Sequence, residues 1–339
     1  MAKVSVIGAG SWGIALATVL NKNGHEVTIW SILEDEINML QEKHEHVTKL
    51  PGVKLSEKIQ YTTNLEEAIQ GKNLLVLAVP SVYVRSTAKN MKELVAEGQL
   101  IVNVGKGIEE SSLKILSDVI EEEIPQANVT ILSGPSHAEE VGRGIPTTCV
   151  VGAHDKKTAE YVQNIFMNEE FRIYTSPDML GIELGGALKN VIALAAGMAD
   201  GLGYGDNTKA ALITRGIAEI SRLAVAMGAK QETLGGLTGI GDLIVTCASM
   251  HSRNRRAGIL IGQGKTMQEA MDEVQMVVEG VYSAKAAMAL ASKYHISMPI
   301  IEQVNQVLFE DKPAREAVSE LMLRDKKAEH EDLWKEAEK

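Results

Sequence analysis

Val4-Ser5-Val6-Ile7-Gly8-Ala9-Gly10-Ser11-Trp12-Gly13-Ile14-Ala15-Leu16-Ala17-Thr18-Val19-Leu20 is the stretch on which the fold turns. A short β-branched run leads into a turn with three glycines, and an apolar, breaker-free run follows it: strand, glycine turn, helix. Such glycines let the chain turn sharply, bring backbone N–H groups close to a pyrophosphate and pack the helix on the strand. The helix N-terminus meanwhile favours the anion. As a bare string the motif is weak. Its place after a strand and before a helix makes dinucleotide binding a far stronger reading than a chance glycine turn, with Gly8, Gly10 and Gly13 as the cofactor turn.

Further along, β-branched runs at Val4–Ile7, Glu26–Trp30, Leu74–Val79, Leu100–Val104, Val129–Leu132 and Thr147–Val151 alternate with helical stretches. That alternation predicts a parallel sheet flanked by helices. Near Pro177 the pattern changes, and from Gly181 onward apolar residues fall at helical spacing with no convincing strand. The expected fold is α/β, a Rossmann-type doubly wound N-terminal domain (1–178) followed by a mainly α-helical C-terminal domain (179–339). The first helix of the second domain, about Leu180 to Asp200, is rich in Ala and Gly, which suits a central helix that neighbouring backbones approach closely. The charged tail around 326–332 reads as a solvated helix without an assigned function.

Composition removes several function classes. A net charge of −11 over 339 residues argues against nucleic-acid binding, because neutralising phosphates needs a basic surface. Any phosphorylated substrate then needs a local basic cluster. Cys149 and Cys247 lack metal or disulfide spacing and read as buried free thiols. The histidines form no metal pattern, so no metal is expected, and His137 reads as structural. No uncharged apolar run reaches the roughly 18 residues of a membrane span. Met1-Ala2-Lys3 runs straight into a strand without signal-peptide features, so a cytoplasmic location is expected.

The motifs Gly8 to Gly13 with Ser11-Trp12, Asn103-Val104-Gly105-Lys106-Gly107-Ile108-Glu109, Leu132-Ser133-Gly134-Pro135-Ser136-His137-Ala138 and Leu188-Lys189-Asn190-Val191 come in this order. Gly239-Ile240-Gly241-Asp242-Leu243, His251-Ser252-Arg253-Asn254 and Val278-Glu279-Gly280 follow. Together the series resembles the bacterial glycerol-3-phosphate dehydrogenase family from about residue 3 to about residue 310. The resemblance implies a Rossmann-type domain joined to a helical one. It also implies reversible conversion of dihydroxyacetone phosphate to sn-glycerol 3-phosphate with NADH or NADPH, as a source of the phospholipid backbone. It places Ser11, Trp12, Ala138, Val277 and Glu279 at the cofactor, and Gly134 and Ser136 at the substrate. The implied partner is a small phosphorylated substrate, with a homodimer as one assembly open to the chain.

The nucleotide itself hinges on the end of the second strand, where an acid suits a free ribose 2'-hydroxyl and a base a 2'-phosphate. The family usually has basic residues just beyond that strand. This chain has Ile32 and Leu33, then Glu34-Asp35-Glu36. With no base close in sequence the cofactor is NAD(H) or NADP(H), leaning to NADH. The acids equally suit the first turn of the next helix, where they offset its dipole.

Reducing a ketone builds charge on the carbonyl oxygen, so the site needs a proton donor and further donors for the developing alkoxide. Lys189 lies on an otherwise apolar helix, where a cation is costly unless it lines a polar cavity or finds a partner. Taken alone it is as readily a lysine that snorkels to solvent. The resemblance makes it the general acid in reduction and general base in oxidation. Lys106 lies in a glycine-flanked turn at the sheet's carboxyl edge, where a lysine taken alone is more often just a solvated charge; the motif around it implies contact with substrate and cofactor. Asn190 and Asp242 are candidates to orient the two lysines, and Asp242 is also expected at the substrate, accepting from a hydroxyl, although it could equally be a helix cap. Ser252-Arg253-Asn254 offers a hydroxyl, a guanidinium and an amide in sequence, which suits a phosphate, with Arg253 also expected near cofactor. Arg255 and Arg256 should add positive potential. A two-domain hydroxyacid dehydrogenase and a non-catalytic NAD-binding sensor are the competing readings.

Overall fold

The computed structural model describes residues 1–329. Its strands are β1 (Lys3–Ile7), β2 (Glu26–Trp30), β3 (Gln60–Thr62), β4 (Leu74–Leu77), β5 (Leu100–Asn103), β6 (Asn128–Ser133), β7 (Thr147–Gly152) and β8 (Phe171–Ser176). They form one sheet in the order β3-β2-β1-β4-β5-β6-β7-β8. The first six follow the 3-2-1-4-5-6 order of doubly wound dinucleotide-binding sheets and are all parallel. The expectation of a wholly parallel sheet is corrected at one place: β7 runs antiparallel to β6, and β8 is parallel to β7. A parallel return needs a crossover, usually a helix that recrosses the sheet. The only helix between β6 and β7 is α6 (Ala138–Val141), about 6 Å long at the usual rise. The chain therefore comes back along the edge it left.

The other helices of the first half are α1 (Ser11–Lys22), α2 (Glu34–Lys43), α3 (Leu65–Ile69), α4 (Val84–Met91), α5 (Leu116–Glu123) and α7 (Lys156–Phe166). Strand side chains alternate between faces. Val4, Val6, Val76 and Val102 pack with Ile14 and Leu16 of α1 and Val162 of α7. Leu75, Leu77 and Ile101 pack with Val84 and Met91 of α4 and Leu116 and Ile120 of α5. β3 and β8 were not among the expected strands. Three residues are too few to show a period, and β8 is an edge strand that alternates buried Phe171 and Ile173 with exposed Arg172 and Tyr174.

After Ser176 the described residues form helices only: α8 (Met179–Gly201), α9 (Asp206–Ala226), α10 (Gln231–Leu234), α11 (Asp242–Ala248), α12 (Arg253–Gly262), α13 (Met267–Val274), α14 (Glu279–Lys293), α15 (Pro299–Phe309) and α16 (Ala314–Met322). A π-helical turn, Leu237–Gly241, leads into α11. Asp178 caps α8 by accepting from the Gly181 N–H at 3.0 Å. By length and composition α8 could cross a membrane, but 89% of its most apolar window is buried inside the protein. It is the axle of the helical half. Its small residues let α12 come close: a methyl added at Gly197 would lie 2.2 Å from the Arg255 carbonyl oxygen, and one at Gly258 would lie 2.3 Å from that of Leu194.

The charged tail departs from expectation. Residues 326–329 are exposed or half-buried and not helical, since a charged run without an apolar stripe has no face to bury. The rest of that segment, 330–332, lies outside the described residues. Cys149 and Cys247 are buried and unpaired, and burial pushes both thiols up to about 12.

Candidate active site

At the carboxyl end of β1, Gly8 adopts a φ of +122° with the Ala78 carbonyl 2.9 Å from where a Cβ would sit, and a Cβ on Gly13 would lie 2.3 Å from the Gly8 oxygen. The turn is closed to side chains on its inner side. Its outer side is open: a Cβ on Gly10 would meet nothing within 4 Å, and Gly10 starts α1 without any side-chain cap. Uncapped N–H groups above an open cradle fit the pyrophosphate of a dinucleotide. Ser11 is buried in the first turn beside Trp12. The Trp12 indole Nε1 is buried without a partner, and its ring tilts against Phe171.

The second half meets this edge through four elements. Lys106 sits in the turn after β5, and its Nζ donates to the Gly134 carbonyl at 2.9 Å and to Asp242 Oδ2 at 2.7 Å. Lys189 comes from the middle of α8, and its Nζ donates to Asp242 Oδ1 and Thr246 Oγ1, each at 2.6 Å. One carboxylate thus holds both ammonium groups, one on each oxygen. Asp242 is the first residue of α11, yet its side chain serves the lysines and makes no cap. Burial opposes its ionisation, but Lys106 and Lys189 outweigh that and hold it below the ordinary carboxylate range. Burial also brings Lys189 down to about 8, helped by Lys106 and opposed by Asp242. With both lysines charged, the trio carries a net positive charge in an acidic chain.

Asn190 is a correction. It bonds neither lysine, its Oδ1 accepting from Asn254 Nδ2 at 2.9 Å. Asn254 Oδ1 in turn accepts from the Gly280 N–H at 2.8 Å, so Asn190 ties the first turn of α12 and the start of α14 to the turn of α8 that carries Lys189. Ser252 caps α12 by accepting from the Arg255 N–H at 3.1 Å, which leaves its O–H free to donate. Arg253 forms no hydrogen bond or ion pair to protein among the described residues, although burial, opposed by Glu279 and Glu139, pulls its guanidinium below its ordinary value. Arg255 departs from expectation: it is paired with Asp200 at 2.7 Å and adds little free positive potential. The Nε of Arg256 is buried without a partner.

Ser136 Oγ donates to the Gly134 carbonyl at 2.9 Å, the same oxygen that receives Lys106, and Ala138 begins α6. His137 Nε2 lies 3.5 Å from the Val245 carbonyl, and burial followed by the Lys189 charge lowers its pKa. Val277 lies in the loop before α14. Glu279, at the start of α14, reaches the sheet domain and accepts from the Ser81 N–H at 3.0 Å and from the Ser81 hydroxyl.

Several site neighbours escaped the sequence reading. Thr246 was detectable, because it lies four residues after Asp242 on one helix face. Ser81, just past β4, and Glu183, a second ionisable group on the apolar helix α8, left similar signals. His46 and Lys49 left none. A loop returns them to the end of β2, where Glu36 accepts from Ser31 Oγ at 2.7 Å and meets His46 Nε2 at 3.5 Å and Lys49 Nζ. Despite burial, these partners bring Glu36 down to about 2. A base does therefore lie near the end of β2, supplied from outside the local sequence, while Glu34, Asp35 and Glu36 form the first turn of α2.

A doubly wound sheet with an open glycine turn, faced at its carboxyl edge by a buried lysine on an aspartate, defines an oxidoreductase that uses a nicotinamide dinucleotide. Two family models match the chain, the NAD-dependent glycerol-3-phosphate dehydrogenase N-terminus over residues 3–159 and the corresponding C-terminus over residues 178–319. The chain is 71% identical to a glycerol-3-phosphate dehydrogenase [NAD(P)+] of Agathobacter rectalis over 99% of this chain and 100% of that one. It is 65% identical to the protein so named from Fusobacterium nucleatum, over 97% and 99%. The crystal structure of glycerol-3-phosphate dehydrogenase from Coxiella burnetii superposes with a TM-score of 0.92 at 36% identity, covering 95% of this chain and 99% of that one. The chain belongs to the NAD-dependent glycerol-3-phosphate dehydrogenase family and is an NAD(P)-dependent oxidoreductase.

Proposed function

We propose that Lys189 is the proton donor and acceptor in the reaction of this family, the reversible NAD(P)H-dependent reduction of dihydroxyacetone phosphate to sn-glycerol 3-phosphate. The observation that carries the assignment is a buried ammonium held on Asp242 and Thr246 and tuned to about 8, within reach of neutral pH in both directions. Residues 1–178 hold the nucleotide, and those from 179 onward bring the proton donor and phosphate ligands to it. Glycerol 3-phosphate is the backbone of glycerophospholipids, the destination we assign to the product.

Gly8, Gly10, Ser11, Trp12 and Gly13 would hold the dinucleotide at the N-terminus of α1, with Ala138, Val277 and Glu279 around its reacting end. When bound, the nicotinamide supplies the hydride for reduction and accepts it in oxidation. Lys189 Nζ gives a proton to the substrate oxygen as charge develops on it, and Thr246 and Asp242 keep that Nζ in place. Lys106, held by Gly134 and Asp242, contributes a second positive charge beside the same oxygen and contacts the substrate. Gly134 and Ser136 border it.

Ser252, Arg253 and Asn254 are the proposed phosphate ligands. The unpaired Arg253 guanidinium matches a phosphate in charge and planar geometry. Arg253→Ala should raise KM for dihydroxyacetone phosphate roughly 30-fold, the equivalent of about 2 kcal/mol for a hydrogen bond to a charged group, with a smaller change in kcat. An unchanged KM in steady-state assays would remove this pocket.

For the nucleotide, we infer that both NADH and NADPH are accepted. Lys49 compensates the Glu36 charge, so Glu36 does not act as a free acid repelling a 2'-phosphate. Lys49→Met should expose that charge and weaken NADPH about tenfold relative to NADH, the equivalent of about 1.4 kcal/mol. Fluorescence titration of each cofactor measures the ratio directly, and equal losses for both would reduce Lys49 to a fold-supporting role.

A further inference from the structure

α8 carries a second ionisable side chain that the reaction as described does not use. Glu183 lies six residues before Lys189, and Gly186 lies midway between them, so the three follow an oblique i, i+3, i+6 ridge that winds about a third of the way round the helix. Glu183 is 6% exposed and forms no ion pair among the described residues. A buried carboxyl without a cation is costly to ionise unless hydrogen bonds compensate it; here all of them come from the other domain, and burial still pushes Glu183 up to about 7. Ser117, in the first turn of α5, donates its N–H to both carboxylate oxygens at 3.1 and 3.3 Å, and its hydroxyl to Oε2. Asn103 Nδ2 donates to Oε1 at 3.2 Å.

Asn103 is the last residue of β5 and is 1% exposed. Its Oδ1 accepts from the Gly105 N–H at 3.1 Å, and its Nδ2 also lies 3.5 Å from the Gly105 carbonyl. The amide therefore braces both polar groups of the residue just before Lys106. Beyond that turn the Lys106 stem runs over Gly186, where an added Cβ would lie 3.6 and 3.7 Å from Lys106 Cγ and Cδ. One oblique ridge of α8 thus reaches the root of Lys106 through Glu183 and Asn103, accommodates its stem at Gly186 and presents Lys189 at the far end.

We propose that Glu183 is a positioning residue of the reaction: through Asn103 it sets the Lys106 turn in register with Lys189. A fastener between two domains needs no contact with a lysine-bearing turn. Besides its bonds to Ser117, Glu183 holds the Asn103 amide, which also braces Gly105. The proposal rests on the assignment of Lys106 to the substrate.

The test exchanges donor and acceptor across the Glu183–Asn103 contact. Asn103→Asp keeps the acceptor for Gly105 but sets one carboxyl against another, and it should raise KM for dihydroxyacetone phosphate about tenfold, as expected for a small misplacement of a binding group. The fall in kcat should be smaller, because Lys189 is untouched. Adding Glu183→Gln restores a donor–acceptor pair with reversed direction and should bring KM back to within about threefold of the parent. A rise in KM that the second substitution does not reverse, or no rise in a folded Asn103→Asp protein, overturns the proposal. Should Asn103→Asp fail to fold, recovery of both the fold and near-parental KM in the double variant supports it, and a folded double variant with high KM overturns it. If the double variant also fails to fold, Glu183→Ala decides: the raised KM supports the proposal, and parental KM or loss of the fold overturns it. Lys106→Met tests the underlying assignment separately. If it leaves KM unchanged, the substrate role of Lys106 fails. If it raises KM while the exchange does not behave as described, only the role of Glu183 fails.

Discussion

Lys189→Met is expected to lower kcat for dihydroxyacetone phosphate reduction by roughly 10²- to 10⁴-fold, the usual contribution of a placed general acid, while leaving NADH binding near parental. Met fills most of the space of the lysine stem and removes a buried charge, and Asp242 keeps Lys106 as its partner, so the protein should fold. The pH dependence gives a second check with a definite sign. Lys189 is brought to about 8, and reduction requires its protonated form, so kcat for reduction should hold below that pH and fall as pH rises through it. Oxidation of glycerol 3-phosphate needs the neutral amine, and its rate should climb through the same pH. Stopped-flow measurement of the hydride step in both directions reads the two limbs. A near-parental rate in Lys189→Met, or limbs that persist in that variant, would remove Lys189 from the proton transfer.

Asp242→Asn should have the largest combined effect on stability and rate. The carboxylate is 1% exposed and is shared by two ammonium groups. Replacing it with an amide leaves the buried Lys189 ammonium and the half-buried Lys106 ammonium facing each other without compensation, and breaking a buried ion pair on one side costs about 3–5 kcal/mol. Calorimetry should show that loss. Removing the negative charge also takes away what opposes the depression of the Lys189 pKa, so the reduction limb should move to lower pH. Placing Lys106→Met in the same protein removes one of the opposed cations and should recover part of the stability but not the activity. A variant as stable as the parent, with its pH limb unmoved, would show that Asp242 does not balance the pair.

Six of the eight strands, β1, β2 and β4 through β7, and the glycine turn were legible because their signals are local. Side-chain period, β-branching and turn chemistry act over a few residues, and β1 through α1 obeys all of them. Lys189 was visible as a cation on an apolar helix, but that signal alone left a snorkelling lysine equally open, and the expected role came from the resemblance. The sense of β7 was not legible, because it depends on whether the link after β6 crosses the sheet, which a four-residue helix settles only in place.

Within the site, the sequence by itself determined which side chains were available, the two lysines, Asp242 and the Ser252–Asn254 run, and its length and apolar spacing determined that α8 would be a core helix. Tertiary structure decided who meets whom. Asp242 finds Lys189 and Lys106 across 53 and 136 residues of chain, Asn190 turns to Asn254 instead of a lysine, Arg255 is taken by Asp200, and Lys49 reaches Glu36 by way of a loop. The physical reason is that local conformation follows from sterics and hydrogen bonds within a turn or two, whereas the charge state of a buried group follows from burial and from neighbours brought to it only when the domains pack.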